Sequence, residues 1–264
     1  MQALAAFPAT EAAGIVGVLT DIDDTLTTEG KLTAAAYGAL QALHDAGLKV
    51  IPVTGRPAGW CDHIARMWPV DAVVGENGAF WMRHDPTMKK LRTVFAGDVP
   101  ADRQVRIDFL ARDILAAVPG CALASDQFCR SADLAIDFCE DVPPLPRSAV
   151  DEIVRRMEAA GMQAKISSIH VNGWFGHYDK LSTTRRLLAE EFGSDIDAPA
   201  ERARWVFVGD SPNDAPMFGW FPNAVGVANV GDHIDRLTAT PRYVTKVRSG
   251  AGFVELAEYL LAHR

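Results

Sequence analysis

Apolar, β-favouring residues run from Ile15 to Leu19, and the carboxylates Asp21, Asp23 and Asp24 follow closely. Helical spacing comes next: Thr33 can cap a helix running to about Ala46, with Leu40 and Leu43 on one face and Gly47 as its stop. Leu48 to Val53 reads as a second strand and ends in Thr54-Gly55-Arg56-Pro57. Pro57 suits the first turn of a helix whose core face is expected at Trp60, Ile64 and Met67. Asp71 to Val74 predicts a third strand, and Gly75-Glu76-Asn77-Gly78 a turn. Strand and helix alternating in this way predict an α/β fold with a doubly wound parallel sheet.

Near Arg83 the rhythm changes. Arg92 to Ala96 suits a strand, and Ala101 to Val118 a helix with Val105, Phe109 and Ile114 among its apolar positions. Leu134 to Cys139 predicts another strand, closed by the proline-rich turn from Val142 to Pro146. A helix from about Ser148 to Ala160 and strands near Met162–Ser167 and Ile169–Asn172 complete an α+β module. From Tyr178 the α/β pattern resumes, with a helix from Asp179 to about Phe192 and a strand from Trp205 to Val208. That strand ends in Gly209-Asp210-Ser211-Pro212-Asn213-Asp214. Val225 to Ala228 predicts a strand, and Gly252 to Ala262 a closing helix with Phe253, Leu256 and Leu260 inward. One α/β core, residues 1–83 and 175–264, is therefore expected to carry an insert at residues 84–174.

Composition narrows the classes. A chain of 264 residues with net charge −8 does not have nucleic acid as its default partner, although local cations and a metal can reverse the field inside a site. No segment reaches the ~18 uninterrupted apolar residues of a membrane span. Met1 to Gly14 is Ala-rich, lacks a basic region and is interrupted by Glu11, so a short tail is expected rather than a targeting sequence. Cys61, Cys121, Cys129 and Cys139 form no C-x-x-C pair, and reduced structural thiols in a cytoplasmic protein are expected.

The clustered acids carry the chemistry. Like charges side by side repel unless something positive sits between them, and hard carboxylate oxygens suit Mg²⁺. A calcium loop counted from Asp21 fails, because its sixth and twelfth positions are Leu26 and Leu32 where Gly and Glu are needed. Taken singly, Thr54 is a strand-end hydroxyl, Lys180 a solvated helix lysine, and Asp210 and Asp214 an N-cap and a first-turn acid. Taken together, they stand at strand ends and a helix start, which a parallel sheet gathers along one edge.

Asp21-x-Asp23-x-Thr25, Thr54-Gly55-Arg56, Lys180 and Gly209-Asp210-x-x-Asn213-Asp214 resemble the four motifs of the haloacid dehalogenase superfamily. In position, size and element content the insert resembles the cap of its Cof-type class IIB, a group of sugar-phosphate phosphatases and phosphomannomutases. Asp24 departs from the pattern, standing where many members have Gly. The resemblance implies a Rossmann-like core with residues 84–174 as a specificity-setting cap. It implies a Mg²⁺-dependent phosphomonoester hydrolase that works through an aspartyl phosphate on a small phosphorylated metabolite, expected to be a sugar phosphate.

By the same resemblance, Asp21 is the nucleophile, Asp23 the general acid and base, and Thr54 and Lys180 hold the phosphoryl oxygens. Mg²⁺ falls to Asp21, the Asp23 carbonyl and Asp210, supported by Asp214 and Asn213. Substrate contacts are expected from Gly55, Arg56, Asn77, Arg147, Asn172 and Asn213, with Glu76, His170, Trp174 and His177 as further candidates. Trp174 suits stacking on a sugar ring and Arg147 a second anionic group. A phosphomutase on the same scaffold and a non-catalytic sensor of a phosphorylated ligand are the rivals. A pure binder has no need of Asp21, Asp23, Lys180 and Asp210 together. A P-loop kinase and a zinc protease lack their motifs here.

Overall fold

The computed structural model describes residues 1–97 and 102–264. The chain opens with β1 (Gln2–Ala3), α1 (Ala9–Ala13) and β2 (Gly17–Thr20). Thr33 caps α2 (Ala34–Asp45) by accepting from the Ala36 N–H, and β3 (Lys49–Pro52), α3 (Ala58–Met67) and β4 (Val73–Gly75) follow. Then come β5 (Phe80–Asp85), β6 (Lys90–Phe95), α4 (Arg103–Ala117), β7 (Ala122–Leu123) and β8 (Asp133–Asp137). After α5 (Arg147–Ala159), β9 (Gln163–Ile166) and β10 (His170–Trp174), the chain returns through α6 (Lys180–Phe192), α7 (Pro199–Arg202) and β11 (Trp205–Gly209). It closes with α8 (Ala215–Trp220), β12 (Asn223–Gly226), β13 (Tyr243–Val244) and α9 (Ser249–Ala262).

The core sheet has the order β1-β13-β12-β11-β2-β3, and every neighbouring pair is parallel. Successive residues of its central strands face opposite sides. Val18, Val50, Val206 and Val208 pack with Leu40 and Leu43 of α2 and Phe253, Leu256 and Leu260 of α9. Leu19, Ile51 and Phe207 pack on the other side with Leu187 and Leu188 of α6 and Met217 and Phe218 of α8. Burial on both faces is why these strands read as continuous apolar runs. Parallel order then brings the C-terminal ends of β2, β3 and β11 to one edge, carrying Asp21, Thr54 and Asp210 with them.

The insert forms a second sheet, β7-β8-β10-β9, antiparallel throughout. Leu134, Ile136 and Val171 on one face pack with Ile107, Leu110 and Ile114 of α4 and Val150, Ile153 and Met157 of α5. Asp133 and Asp137 of β8 and His170 and Asn172 of β10 lie on the opposite face, and His170 and Asn172 roof the edge where Asp21 stands.

Several expectations change. The first residues are no tail: β1 pairs with β13, Leu4 and Phe7 are buried, and Phe7 stacks 4.8 Å from Tyr243. On α3, Trp60 and Met67 are 44% and 66% exposed, and Cys61, Ile64 and Ala65 face the core. Smaller side chains at 61 and 65 let that helix lie close to β4 and β5. On α4, Val105 and Phe109 are exposed, while Ile107, Leu110, Ala111 and Ile114 are buried; Ala101, expected to begin this helix, lies outside the described residues. The third strand meets the core sheet through the single parallel bridge Val53–Val74 and otherwise pairs antiparallel with β5. The expected boundary after residue 83 falls within β5.

Candidate active site

Backbone geometry places the central groups. The Asp21 N–H donates to the Val208 carbonyl (2.9 Å), which fixes the turn leaving β2 beside β11. Lys180 is the first residue of α6, where Asp179 accepts from the Ser182 N–H (2.7 Å) and Ser182 Oγ accepts in return from the Asp179 N–H (3.0 Å). Those reciprocal bonds fix the helix start. The buried Lys180 Nζ then donates to Asp21 Oδ1 (2.9 Å) and Asp214 Oδ1 (2.7 Å). Asp214 Oδ2 accepts from the N–H groups of Asp210 (3.1 Å) and Ser211 (3.2 Å). Gly209 permits that approach, since a Cβ there would lie 2.4 Å from Asp214 Oδ2. Asp210 accepts from Thr25 Oγ1 and Asn229 Nδ2, each at 3.0 Å.

Carboxylate oxygens of Asp21, Asp210 and Asp214 lie within 4.8 Å of one another. Burial pushes Asp21 up to about 7 despite the Lys180 charge, with Asp214 and Asp23 adding repulsion. Burial also holds Asp210 well above the carboxylate range, reinforced by Asp21 and Asp214. For Lys180 burial acts against the charged form, but the two carboxylates outweigh it and its pKa is raised. One ammonium against three buried acids leaves an excess of negative charge, and the all-oxygen donor set fits a hard divalent cation. Asp214 takes the Lys180 ammonium on one oxygen and two backbone N–H groups on the other, so it chiefly orients its neighbours, whereas Asp21 keeps an oxygen that Lys180 does not hold.

Asp23 turns away from this cluster. Arg56 Nε donates to both its oxygens (2.9 and 3.0 Å), and Nη2 donates to Oδ1 (2.7 Å). The same guanidinium donates to Glu140 (2.7 Å) and Asp126 (3.4 Å) of the insert, and the Trp60 ring lies 4.4 Å away. Thr54 is fully buried, and its Oγ1 accepts from the Arg56 N–H (3.0 Å). Asn77, at φ +55°, accepts at Oδ1 from Asn213 Nδ2 (3.3 Å), while its own Nδ2 is buried with no partner among the described residues. Gly55, His170, Asn172 and Asn213 line the same narrow space as Asp21 and Asp23.

Of the expected site residues, Asp21, Asp23, Thr54, Gly55, Arg56, Asn77, Asn172, Lys180, Asn213, Asp210 and Asp214 all gather around this edge. Arg147 does not: it is exposed, pairs with Asp235 (3.1 Å) and lines a separate cavity with Lys165, Pro212 and Arg236. Trp174 is buried, donates to the Tyr178 carbonyl (3.0 Å) and stacks on Tyr178, so it packs the segment between β10 and α6 instead of presenting a platform. His177 is exposed. Spacing gave no sign of Asp126, Arg130, Glu140 and Asn229, because the contacts that join them to the core site, to Arg56, Gly55 and Asp210, are made with residues outside their own segments. A cavity of about 610 Å³ lies on the helical side of the insert between α4 and α5, away from these acids.

Glu76 is the main tie between insert and core. Fully buried, its carboxylate accepts from Ala58 N–H (2.9 Å) of α3 and from Ser131 (2.7 Å), Ala132 (2.5 Å) and Asp133 (3.1 Å) of the insert. Burial pushes it up to about 7, with Asp133 adding to the rise and the N–H donors and Arg130 opposing it. Arg130 Nη1 adds a bond to the Gly55 carbonyl (2.9 Å).

Residues 18–99 match the family of haloacid dehalogenase-like hydrolases, a stretch that includes Asp21, Asp23, Thr54 and Asn77. The chain is 26% identical over 246 residues to a phosphoglycolate phosphatase of Methanoculleus marisnigri, covering 90% of this chain and 93% of the relative. It shares its fold with a protein of Thermoplasma acidophilum at TM-score 0.70 and 17% identity, over 94% of this chain and 98% of the other. A HAD subclass IIB sugar phosphatase superposes with TM-score 0.63 at 14% identity, over 94% and 99% of the two chains.

Proposed function

We propose that this chain is a Mg²⁺-dependent phosphomonoester hydrolase that forms an aspartyl phosphate on Asp21, with a small sugar phosphate as substrate. The observation that carries the reading is the Lys180 ammonium held between Asp21 and Asp214, beside Asp210, with Asp23 two residues from Asp21 but outside that cluster. Lys180 occupies Asp21 Oδ1, which leaves Oδ2 to attack phosphorus. The bond from phosphorus to the leaving oxygen breaks as Asp23 supplies a proton to that oxygen. As a carboxylate, Asp23 then takes a proton from water, whose oxygen attacks the aspartyl phosphate and releases inorganic phosphate. Thr54 accepts from the Arg56 N–H, so its own O–H is free to donate to a phosphoryl oxygen, and the unpartnered Asn77 Nδ2 is a second donor. Asp21, Asp210 and the Asp23 carbonyl would hold Mg²⁺, oriented by Asp214 and Asn213. Bound there, Mg²⁺ supplies the positive charge that lets an anionic nucleophile meet an anionic phosphate. Residues 84–174 act as the cap over this crevice and set specificity.

The test is a phosphate-release screen over sugar phosphates, glycerates, nucleotides and phosphoglycolate with Mg²⁺ present. Preference for sugar phosphates is expected, while full hydrolysis in metal-free buffer would overturn the mechanism. Isomer conversion without phosphate release, dependent on a bisphosphate activator, would move the assignment to a mutase. Phosphoglycolate is the second substrate to weigh, since two relatives carry it in their names.

A further inference from the structure

We infer that Glu140 is a specificity-determining residue that excludes substrates with a carboxylate on the leaving group, by occupying the arginine such a group would need. The inference rests on the phosphatase reading above and names the substrate class of that same site.

Beside Asp23, where a leaving group would depart, a cavity of about 340 Å³ opens between the core loop and the insert. Its charged lining is Asp23, Asp24, Glu29, Glu140 and Arg56. Arg56 is the one cation among these residues, and a guanidinium is the natural receptor for a second anion. Four of its five N–H donors already have partners. Nε and Nη2 hold Asp23, Nη2 also holds Glu140, and Nη1 reaches Asp126. His170 Nε2 lies 2.9 Å from the other carboxylate oxygen of Glu140. Burial acts to raise its pKa, but the bonds from His170 and Arg56 outweigh this and bring it down to about 2. Glu140 therefore stays ionised and acts as a built-in stand-in for a substrate carboxylate.

A carboxylate entering this cavity would face Glu140 and Asp24 with no free cation among the lining residues. Sugar hydroxyls meet the opposite situation, since they donate to carboxylates in charge-assisted bonds. Ser168, on the cavity wall, adds a hydroxyl to the acceptors. The volume is near the lower end of ligand-pocket sizes and suits a single small ring or short polyol. An uncharged, hydroxyl-rich leaving group is thus favoured over a glycolate.

The experiment compares kcat/KM for glucose 6-phosphate, fructose 6-phosphate and phosphoglycolate, with Mg²⁺ present, in the wild type, Glu140→Gln and Asp24→Asn. The wild type should favour the better sugar phosphate by about tenfold or more, and Glu140→Gln should shift the ratio toward phosphoglycolate by about tenfold, mostly through a lower KM for phosphoglycolate. Asp24→Asn should shift it in the same direction by less. A wild type that prefers phosphoglycolate, or a ratio unmoved in both variants, would overturn the inference while leaving the phosphatase reading intact. Release from none of these substrates, nor from p-nitrophenyl phosphate, would remove that reading and the inference with it.

Discussion

Glu76→Ala tests how the insert is held on the core. In the wild type one buried carboxylate accepts from the N–H groups of Ser131, Ala132 and Asp133 across the junction. Alanine leaves all three without an acceptor whenever the insert is docked, whereas water satisfies them when it is not. At about 1 kcal/mol each, the low end for a buried unsatisfied donor, the docked state loses about 3 kcal/mol. With about 1.4 kcal/mol per factor of ten, the docking equilibrium shifts by about a hundredfold. Hydrogen–deuterium exchange of the folded protein reads this directly. The amides of residues 131–133 should exchange about a hundredfold faster, while those of the central strand β11 change far less. Sugar-phosphate turnover should fall with it, because the roof no longer stays over Asp21. Unchanged protection at 131–133 in a folded variant would refute the argument, and equal acceleration in β11 would show that Glu76 supports the whole molecule and not the junction.

Asp23→Asn should separate the half-reactions: an aryl phosphate gives a burst of phenolate and a phosphorylated Asp21 peptide by mass spectrometry, whereas Asp21→Asn gives neither, and wild-type rates from both would sink the mechanism. Lys180→Met removes the one cation touching Asp21 and Asp214, so urea unfolding in chelator should show a loss of about 3–5 kcal/mol, partly restored by Mg²⁺. Asp21 and Glu76, raised from 3.8 and 4.5 to about 7, and Asp210, held well above its ordinary value, take up protons on folding. Their contribution is therefore complete below about pH 4 and is lost as pH rises through about 7. In chelator the melting temperature should be higher at pH 5.5 than at pH 8, and Mg²⁺ should narrow the gap; a higher value at pH 8 in chelator would contradict the burial argument.

Much of the core was legible because its signals are local. Thr33 and Asp179 cap helices within three residues of themselves, and apolar strands buried on both faces stand out as continuous runs. Faces of helices were harder. On α3 and α4 two stripes compete at helical spacing, and only packing decides that Cys61 and Ile107 go inward while Trp60 and Phe109 stay out. The strand β5 was missed because Phe80, Trp81 and Met82 are all buried and the rest are not, so no alternation marks it. Around the site, the motif positions came through, but Arg147 was chosen for its charge alone. Arg56 meets Asp126 and Glu140 across 70 and 84 residues, and no pattern along the chain records such a meeting.

The strand order has a consequence for how the chain is made. β2 is an interior strand of the core sheet, yet its neighbour β11 is among the later elements; Thr25 and Asp210, which join at their ends, are 185 residues apart. At ~5–20 residues per second, β2 waits about 10–40 s on the ribosome with one edge unpaired. The insert, whose sheet and two helices are contiguous in sequence, emerges complete during that wait and can fold first. A nascent chain stalled before β11 would thus carry a finished roof above an unfinished floor, with the unpaired backbone edge of β2 as the surface that chaperones must shield.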